Sequence, residues 1–235
     1  MRLFFWRFST ADRHEFWVGL MNRFLRIFSA ILMMSSLAAC AVNKDNASDE
    51  EIRSVAYSGG GQPKLTLYTM VSNDTGSGAH TSLLVNGSQT VAWDPAGSFR
   101  GNGVVARGDV VYGMSPKMVD YYTRYHARET YHVIIQELNV SPEVAEQALR
   151  TVTGYGAVPQ SQCALSTSAI LRTLPGFEGI SSTYYPKKLY EQFAKYNPTR
   201  KELWEYDADD KSKVLLEYNA ELVEQQRNAR KAVSE

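Results

Sequence analysis

Cysteine is the scarcest informative residue: Cys40 and Cys163 are the only two in the chain, and no Cys-x-x-Cys or His-x-x-x-His pair occurs. The usual zinc spacings are therefore excluded, and nothing calls for a metal or an organic cofactor. Histidine is nearly as rare, with four residues and none after Cys163. A basic surface is missing as well. Beyond residue 39 the chain carries 20 Lys and Arg against 23 Asp and Glu, a balance that argues against nucleic acid as a partner. No stretch is apolar for the ~20 residues a spanning helix needs. Internal repeats and long low-complexity runs are absent too, which leaves one ordinary domain behind an amino-terminal signal.

What is present begins with an address. From Met21 the chain reads Met-Asn-Arg-Phe-Leu-Arg, then an apolar run from Ile27 to Met34, then Leu37-Ala38-Ala39-Cys40. Two arginines, a short apolar core and small residues before a cut have the parts of a bacterial export signal. Leu37-Ala38-Ala39-Cys40 resembles a lipobox, in which the cysteine receives a diacylglycerol and becomes the first mature residue. Residues 1–20 place Asp12, Arg13, His14 and Glu15 ahead of that signal, so Met21 rather than Met1 fits the start of translation. Residues 1–40 then form an upstream extension and lipoprotein signal peptide. Ala41, unlike an Asp at that place, points to the outer membrane, with the domain facing the periplasm.

Residues 41–63 are polar and glycine-rich and are expected to act as a flexible tether. A domain over 64–205 follows. Residues 206–235 are expected to be a charged helical extension that begins after Asp207-Ala208-Asp209-Asp210 and packs or is solvated rather than forming a site.

Export changes the meaning of the remaining thiol. Envelope compartments are oxidising, and with Cys40 acylated Cys163 has no partner in its own chain. The stretch 151–162 reads as a loop from its Gly and Pro content, and Cys163 to Leu171 reads as a helix. Cys163 thus falls in the first helical turn, where unpaired N–H groups and the helix dipole favour a thiolate. The same N–H groups are candidate donors to the oxyanion of a tetrahedral intermediate. Packing as a buried hydrophobe is the competing account.

A thiolate nucleophile needs a base, and only histidines upstream of Cys163 are on offer, which excludes the papain order of Cys before His. His80 is the strongest candidate. Ala79 to Val85 and Thr90 to Asp94 are β-prone runs around Asn86-Gly87, a hairpin signal that sets His80 roughly opposite Trp93 and Asp94. Asp94 would then orient the imidazole. His126, at a helix or its end, and His132, at the start of a strand, read as structural. Tyr121, Tyr122, Tyr125, Tyr184 and Tyr185 are candidates for lining a groove, with core or surface packing as the alternative.

This order of parts resembles the circularly permuted papain-like group of NlpC-type cysteine peptidases and lecithin retinol acyltransferase-like enzymes. The matching stretches are Ala79 to Val85, Arg107 to Tyr112 and Ser161 to Ser166, with the strand Tyr131 to Leu138 and the helical Ser141 to Val152 between. Gln162 and Asp94 stand where members often carry Asn and where they carry His, Asn or Gln.

The resemblance spans residues 64–195. It implies an α+β fold, with an antiparallel, partly barrel-like sheet and helices packed on one side. It also implies acyl transfer through Cys163, with His80 as base, Asp94 as orienting residue, and the Cys163 N–H with Gln160 or Gln162 as oxyanion donors. The expected activity is cleavage of an amide in peptidoglycan stem peptides. A lipid or lipoprotein acyltransferase on the same fold and a non-catalytic envelope-binding lipoprotein are the alternatives.

Overall fold

Lys64–Ser72 is buried along its whole interior, and in a strand that means both faces are covered. Leu65 and Leu67 point to one side, Tyr68 and Met70 to the other, and all four are apolar and buried. The rest of the fold follows from covering those two faces. The computed structural model describes residues 45–205 and 213–220, together with Glu224 and Asn228.

The strands are β1 (Lys64–Ser72), β2 (Gly78–Asn86), β3 (Thr90–Trp93), β4 (Val105–Arg107), β5 (Val110–Tyr112), β6 (Tyr131–Asn139) and β7 (Thr199–Leu203). They form one seven-stranded sheet in the order β4-β5-β3-β2-β1-β6-β7. Every pairing is antiparallel. The helices are α1 (Asp49–Val55), α2 (Pro116–His126), α3 (Pro142–Tyr155), α4 (Cys163–Leu171) and α5 (Pro186–Phe193). The protein is therefore α+β. Its sheet is open, with β4 and β7 at the edges, in place of the partly barrel-like closure expected.

Helices also cover both faces rather than one. Leu65, Leu67, Leu83, Val85, Val91 and Trp93 share a core with residues of α3, α4 and α5. On the reverse face Tyr68, Met70, Leu84, Ala92 and Val111 pack with Met118, Tyr121, Tyr122 and Tyr125 of α2. Val214 and Tyr218, from the helical stretch 213–220, join that second core. Tyr218 stacks on Tyr121 with ring centroids 4.0 Å apart, so this part of the carboxy-terminal extension is a packing helix. The Asp207 to Asp210 run lies outside the described residues.

Two helices start on the same device. Ser115 and Ser141 each accept a hydrogen bond from the third helical residue, and a proline follows each as the first helical residue, where its missing N–H costs nothing. α3 continues to Tyr155, three residues past the expected end at Val152, so the loop before Cys163 is confined to 156–162.

The expected tether is the larger correction. From Asp45 onward the chain is built onto the body: Ala47 N–H donates to the Ala106 carbonyl, Gly108 N–H to the Asp45 carbonyl and Thr90 N–H to the Tyr57 carbonyl. Between these contacts α1 starts with a reciprocal capping box of Ser48 and Glu51, which satisfies two otherwise orphaned donors. The polar composition reflects a surface strap, not a loose chain.

Candidate active site

His80 reaches the site through a flaw in the sheet. Met70 pairs with His80 and Val71 with Gly78, which leaves Ala79 as an extra residue just before the histidine. Such a bulge re-aims the next side chain and is common beside reactive centres. β3 stops at Trp93, opposite Leu83, so the β2 edge beyond it is open to the start of α4.

The hairpin register differs from the expected one. Asn86 pairs with Thr90, so the connection is the three-residue Gly87-Ser88-Gln89 and not a two-residue Asn-Gly turn. Continued by one residue, that register sets Asp94 opposite Ser82, and His80 is the diagonal neighbour on the same face. Diagonal pairs are within reach of long side chains, and His80 Nε2 and Asp94 Oδ1 lie 2.8 Å apart.

Asp94 is held from several sides. Its N–H donates to the Asp109 carbonyl and its own carbonyl accepts from Gly97 N–H. Tyr122, fully inside the second core, donates its hydroxyl to Asp94 Oδ1 at 2.9 Å, and the same hydroxyl lies 2.7 Å from Ser82 Oγ. One proton serves one acceptor, so Ser82 supplies its own proton to the tyrosine oxygen. Asp94 Oδ2 is buried and has no hydrogen-bond partner among the described residues. A Cβ on Gly97 would overlap that carboxylate, which is why glycine stands there. Ala96, between Pro95 and Gly97, has φ 56°, a left-handed conformation held by its surroundings.

Cys163 is the first residue of α4. Ser161, two residues earlier, has φ 68°, so the backbone is strained just before the thiol as well. α4 is locked to the sheet by Trp93, whose indole N–H donates to Thr167 Oγ1 at 3.2 Å. The Cys163 sulfur is hydrogen-bonded to the His80 ring and also accepts from the backbone N–H groups of Thr81 and Ala164. With Nε2 turned to Asp94, Nδ1 is the ring nitrogen left for the sulfur.

The electrostatics follow from this row. Burial raises the Cys163 thiol pKa, but the bond to His80, its charge and the two N–H groups outweigh burial and leave it lowered. Burial pushes the His80 imidazole down, whereas Asp94 and Cys163 hold it above its ordinary value. For Asp94 burial opposes the charge, and the bonds from His80 and Tyr122 with the nearby imidazoles keep the carboxyl below the usual range. Together these shifts describe a thiolate–imidazolium pair with a carboxylate behind it.

The structure thus brings together Cys163, His80 and Asp94. Of the glutamines, Gln160 is exposed and Gln162 precedes α4 without a side-chain capping bond. Cys40 lies outside the described residues. His132 bonds Asn73 at 2.7 Å and stacks on Trp204, away from the row.

His126 was read as structural, yet its ring lies 6.3 Å from that of His80. Its Nδ1 is 2.8 Å from the Tyr122 carbonyl, so Nδ1–H donates, and burial pushes the imidazole down to about 4. Both imidazoles line a cavity of about 200 Å³ with Ala96, Gly97, Ser98, Arg128 and Tyr131. Of the tyrosines expected in a groove, Tyr122 serves Asp94, Tyr121 and Tyr125 are core, and Tyr184 and Tyr185 are exposed. Ser82 and Gly97 carried no sequence signal of their own, and the bond of Tyr122 to Asp94 was not to be read from its type, because these roles depend on which residues the register sets beside Asp94. Among the described residues no group of three or more His, Cys, Asp or Glu is arranged to hold a metal ion.

Comparison of the chain with protein-family models, with curated proteins and with solved structures finds no match. The class is set by the molecule itself: an α+β protein with an open antiparallel sheet and a buried thiol–imidazole–carboxylate row.

Proposed function

We propose that this chain is a cell-envelope lipoprotein that cleaves amide bonds in peptidoglycan stem peptides by a Cys–His thiol mechanism, on a permuted papain-like domain. The observation that carries the reading is the Cys163–His80 hydrogen bond backed by Asp94 on the other ring nitrogen. In this mechanism the Cys163 thiolate attacks the amide carbonyl carbon. The resulting oxyanion is held by backbone N–H groups at the start of α4. The C–N bond then breaks, and the His80 imidazolium passes its proton to the leaving amine. Water attacks the thioester, His80 takes its proton, and the acid leaves as thiolate and imidazolium are restored. Asp94 keeps the ring oriented throughout.

A lipid-ester substrate calls for a wide apolar channel beside the thiol. The adjoining cavity has Arg128, His126 and Ser98 in its walls, which suits a peptide better. An idle binding protein calls for a thiol remote from His80 or sealed from solvent; Cys163 is buried, and its pairing with His80 is the observation that favours catalysis. A diacylglycerol on Cys40 would fix the domain to the outer membrane beside its substrate.

The test is the pH dependence of Cys163 alkylation in the protein and in its His80→Ala variant. The expected midpoint is ~7.5 or lower, returning toward ~8.5 when His80 is lost. Digestion of purified peptidoglycan by wild type but not by Cys163→Ala is the companion result. An unshifted profile that ignores His80 sinks the proposal.

A further inference from the structure

Asp109 is buried, with 2% of its surface exposed, and stands in the turn between β4 and β5, outside the row of reacting groups. An acid this deep is kept where its oxygens find donors. Its carboxylate accepts from Val158 N–H at 2.8 Å, and its carbonyl accepts from Asp94 N–H at 2.8 Å. The second bond extends the β3–β5 ladder one residue past Trp93 and Val110, so the main chain of Asp109 places Asp94. The first bond crosses to the loop 156–162, which runs directly into Cys163.

That loop needs an anchor. Ser161 has φ 68°, and a residue with a side chain persists in that conformation only where its surroundings hold it. Val158 is buried in the first core, which gives the loop one fixed point, and the bond to Asp109 sets its direction. Gly108 lets the turn come close enough to make that bond. It has φ 57°, and a Cβ on it would stand 3.1 Å from the Ala157 nitrogen and 3.3 Å from the Gly156 carbonyl carbon. We propose that Asp109 is a positioning residue for the reaction: it sets Asp94 through its main chain and the approach to Cys163 through its carboxylate, and so holds the two ends of the row in register. The inference rests on the acyl-transfer reading, which supplies the reaction.

The test is the pH dependence of Cys163 alkylation by iodoacetamide in the full-length protein, with circular dichroism to show that each variant is folded. Asp109→Ala removes the acceptor of Val158 N–H. The midpoint should rise from ~7.5 or lower toward ~8.5, and the rate at pH 7 should fall about tenfold, the loss of thiolate that one unit brings. Losing a negative charge would by itself favour the thiolate and lower the midpoint, so a rise reports geometry. Asp109→Asn keeps an oxygen to accept that N–H and should undo most of the rise. Gly108→Ala presses on the loop and leaves the carboxylate in place; it should raise the midpoint too, and it decides alone should Asp109→Ala fail to fold. Folded variants with the wild-type midpoint overturn the proposal even where their urea midpoints drop, because Asp109 would then serve stability alone. A rise in Asp109→Asn equal to that in Asp109→Ala also overturns it, since the bond to Val158 would not be the cause. An ordinary wild-type midpoint insensitive to His80 ends the acyl-transfer reading itself, whereas a lowered one that the variants leave unmoved ends only the role of Asp109.

Discussion

A methyl group on Gly97 would overlap the Asp94 carboxylate, and Gly97 is not among the glycines with positive φ, so alanine is excluded there by space and not by backbone conformation. Gly97→Ala must displace the carboxylate from His80. Misplacing a positioning group by about 1 Å costs on the order of 10²-fold in rate. The expected result is a loss of that size in kcat/KM, together with a rise in the Cys163 alkylation midpoint, while far-ultraviolet circular dichroism is retained. An unchanged midpoint would mean that Asp94 does not act through the imidazole. At this scale the sequence was legible where chemistry and order suffice. A lone thiol in a chain read as exported, no histidine after it and a carboxylate near a hairpin pointed to Cys163, His80 and Asp94. Gly97 and the role of Tyr122 were illegible for a physical reason: each matters through a contact across more than one element, and neither residue type nor spacing encodes such a contact.

Elements were legible in kind and less so in detail. The helix from Cys163 to Leu171 and the strand from Tyr131 stand where residue pattern sets them, because that pattern is a local signal. The hairpin register was not, since Asn86-Gly87 admits both a two-residue turn and the wider loop, and Thr90 Oγ1 closes the latter with a bond to Asn86 at 2.8 Å. Cover on the second face was missed because it comes from α2 and from residues far along the chain, Val214 and Tyr218. What aligns α4 with the sheet is the Trp93–Thr167 bond, one turn beyond Cys163 and fully buried. Thr167→Val keeps the shape but leaves the indole N–H unpaired, which costs about 1–3 kcal/mol. The urea midpoint should fall accordingly, and Thr167→Ser, which keeps the acceptor, should recover most of the loss. Equal stability of the valine and serine variants would show that packing alone seats the helix.

For the whole molecule, the buried titratable groups set how stability follows acidity. Asp94 has a lowered folded pKa, so its contribution is complete above the unfolded value of ~3.9 and is lost as pH falls through the folded one. The His80 pKa, depressed by burial but lifted further by Asp94 and Cys163, stands at about 10. Its contribution is therefore complete below the unfolded ~6.5 and fades as pH rises toward the folded value. His126 acts in the opposite sense. Burial holds its imidazole at about 4, below its ordinary 6.5, so between those values the unfolded chain binds a proton that the folded chain refuses. Stability must then decline as the solution is acidified across that window, before Asp94 begins to contribute. His132, also held down by burial, adds in the same direction. Replacing His126 with glutamine removes the larger of the two while an amide remains to donate to the Tyr122 carbonyl. Urea midpoints at pH 7, 5.5 and 4.5 should show wild type losing more stability than His126→Gln, by on the order of 2 kcal/mol across the window. Parallel curves would mean that His126 is protonated in the folded protein. Two imidazolium rings would then stand 6.3 Å apart, each drawing on Asp94 for its counter-charge.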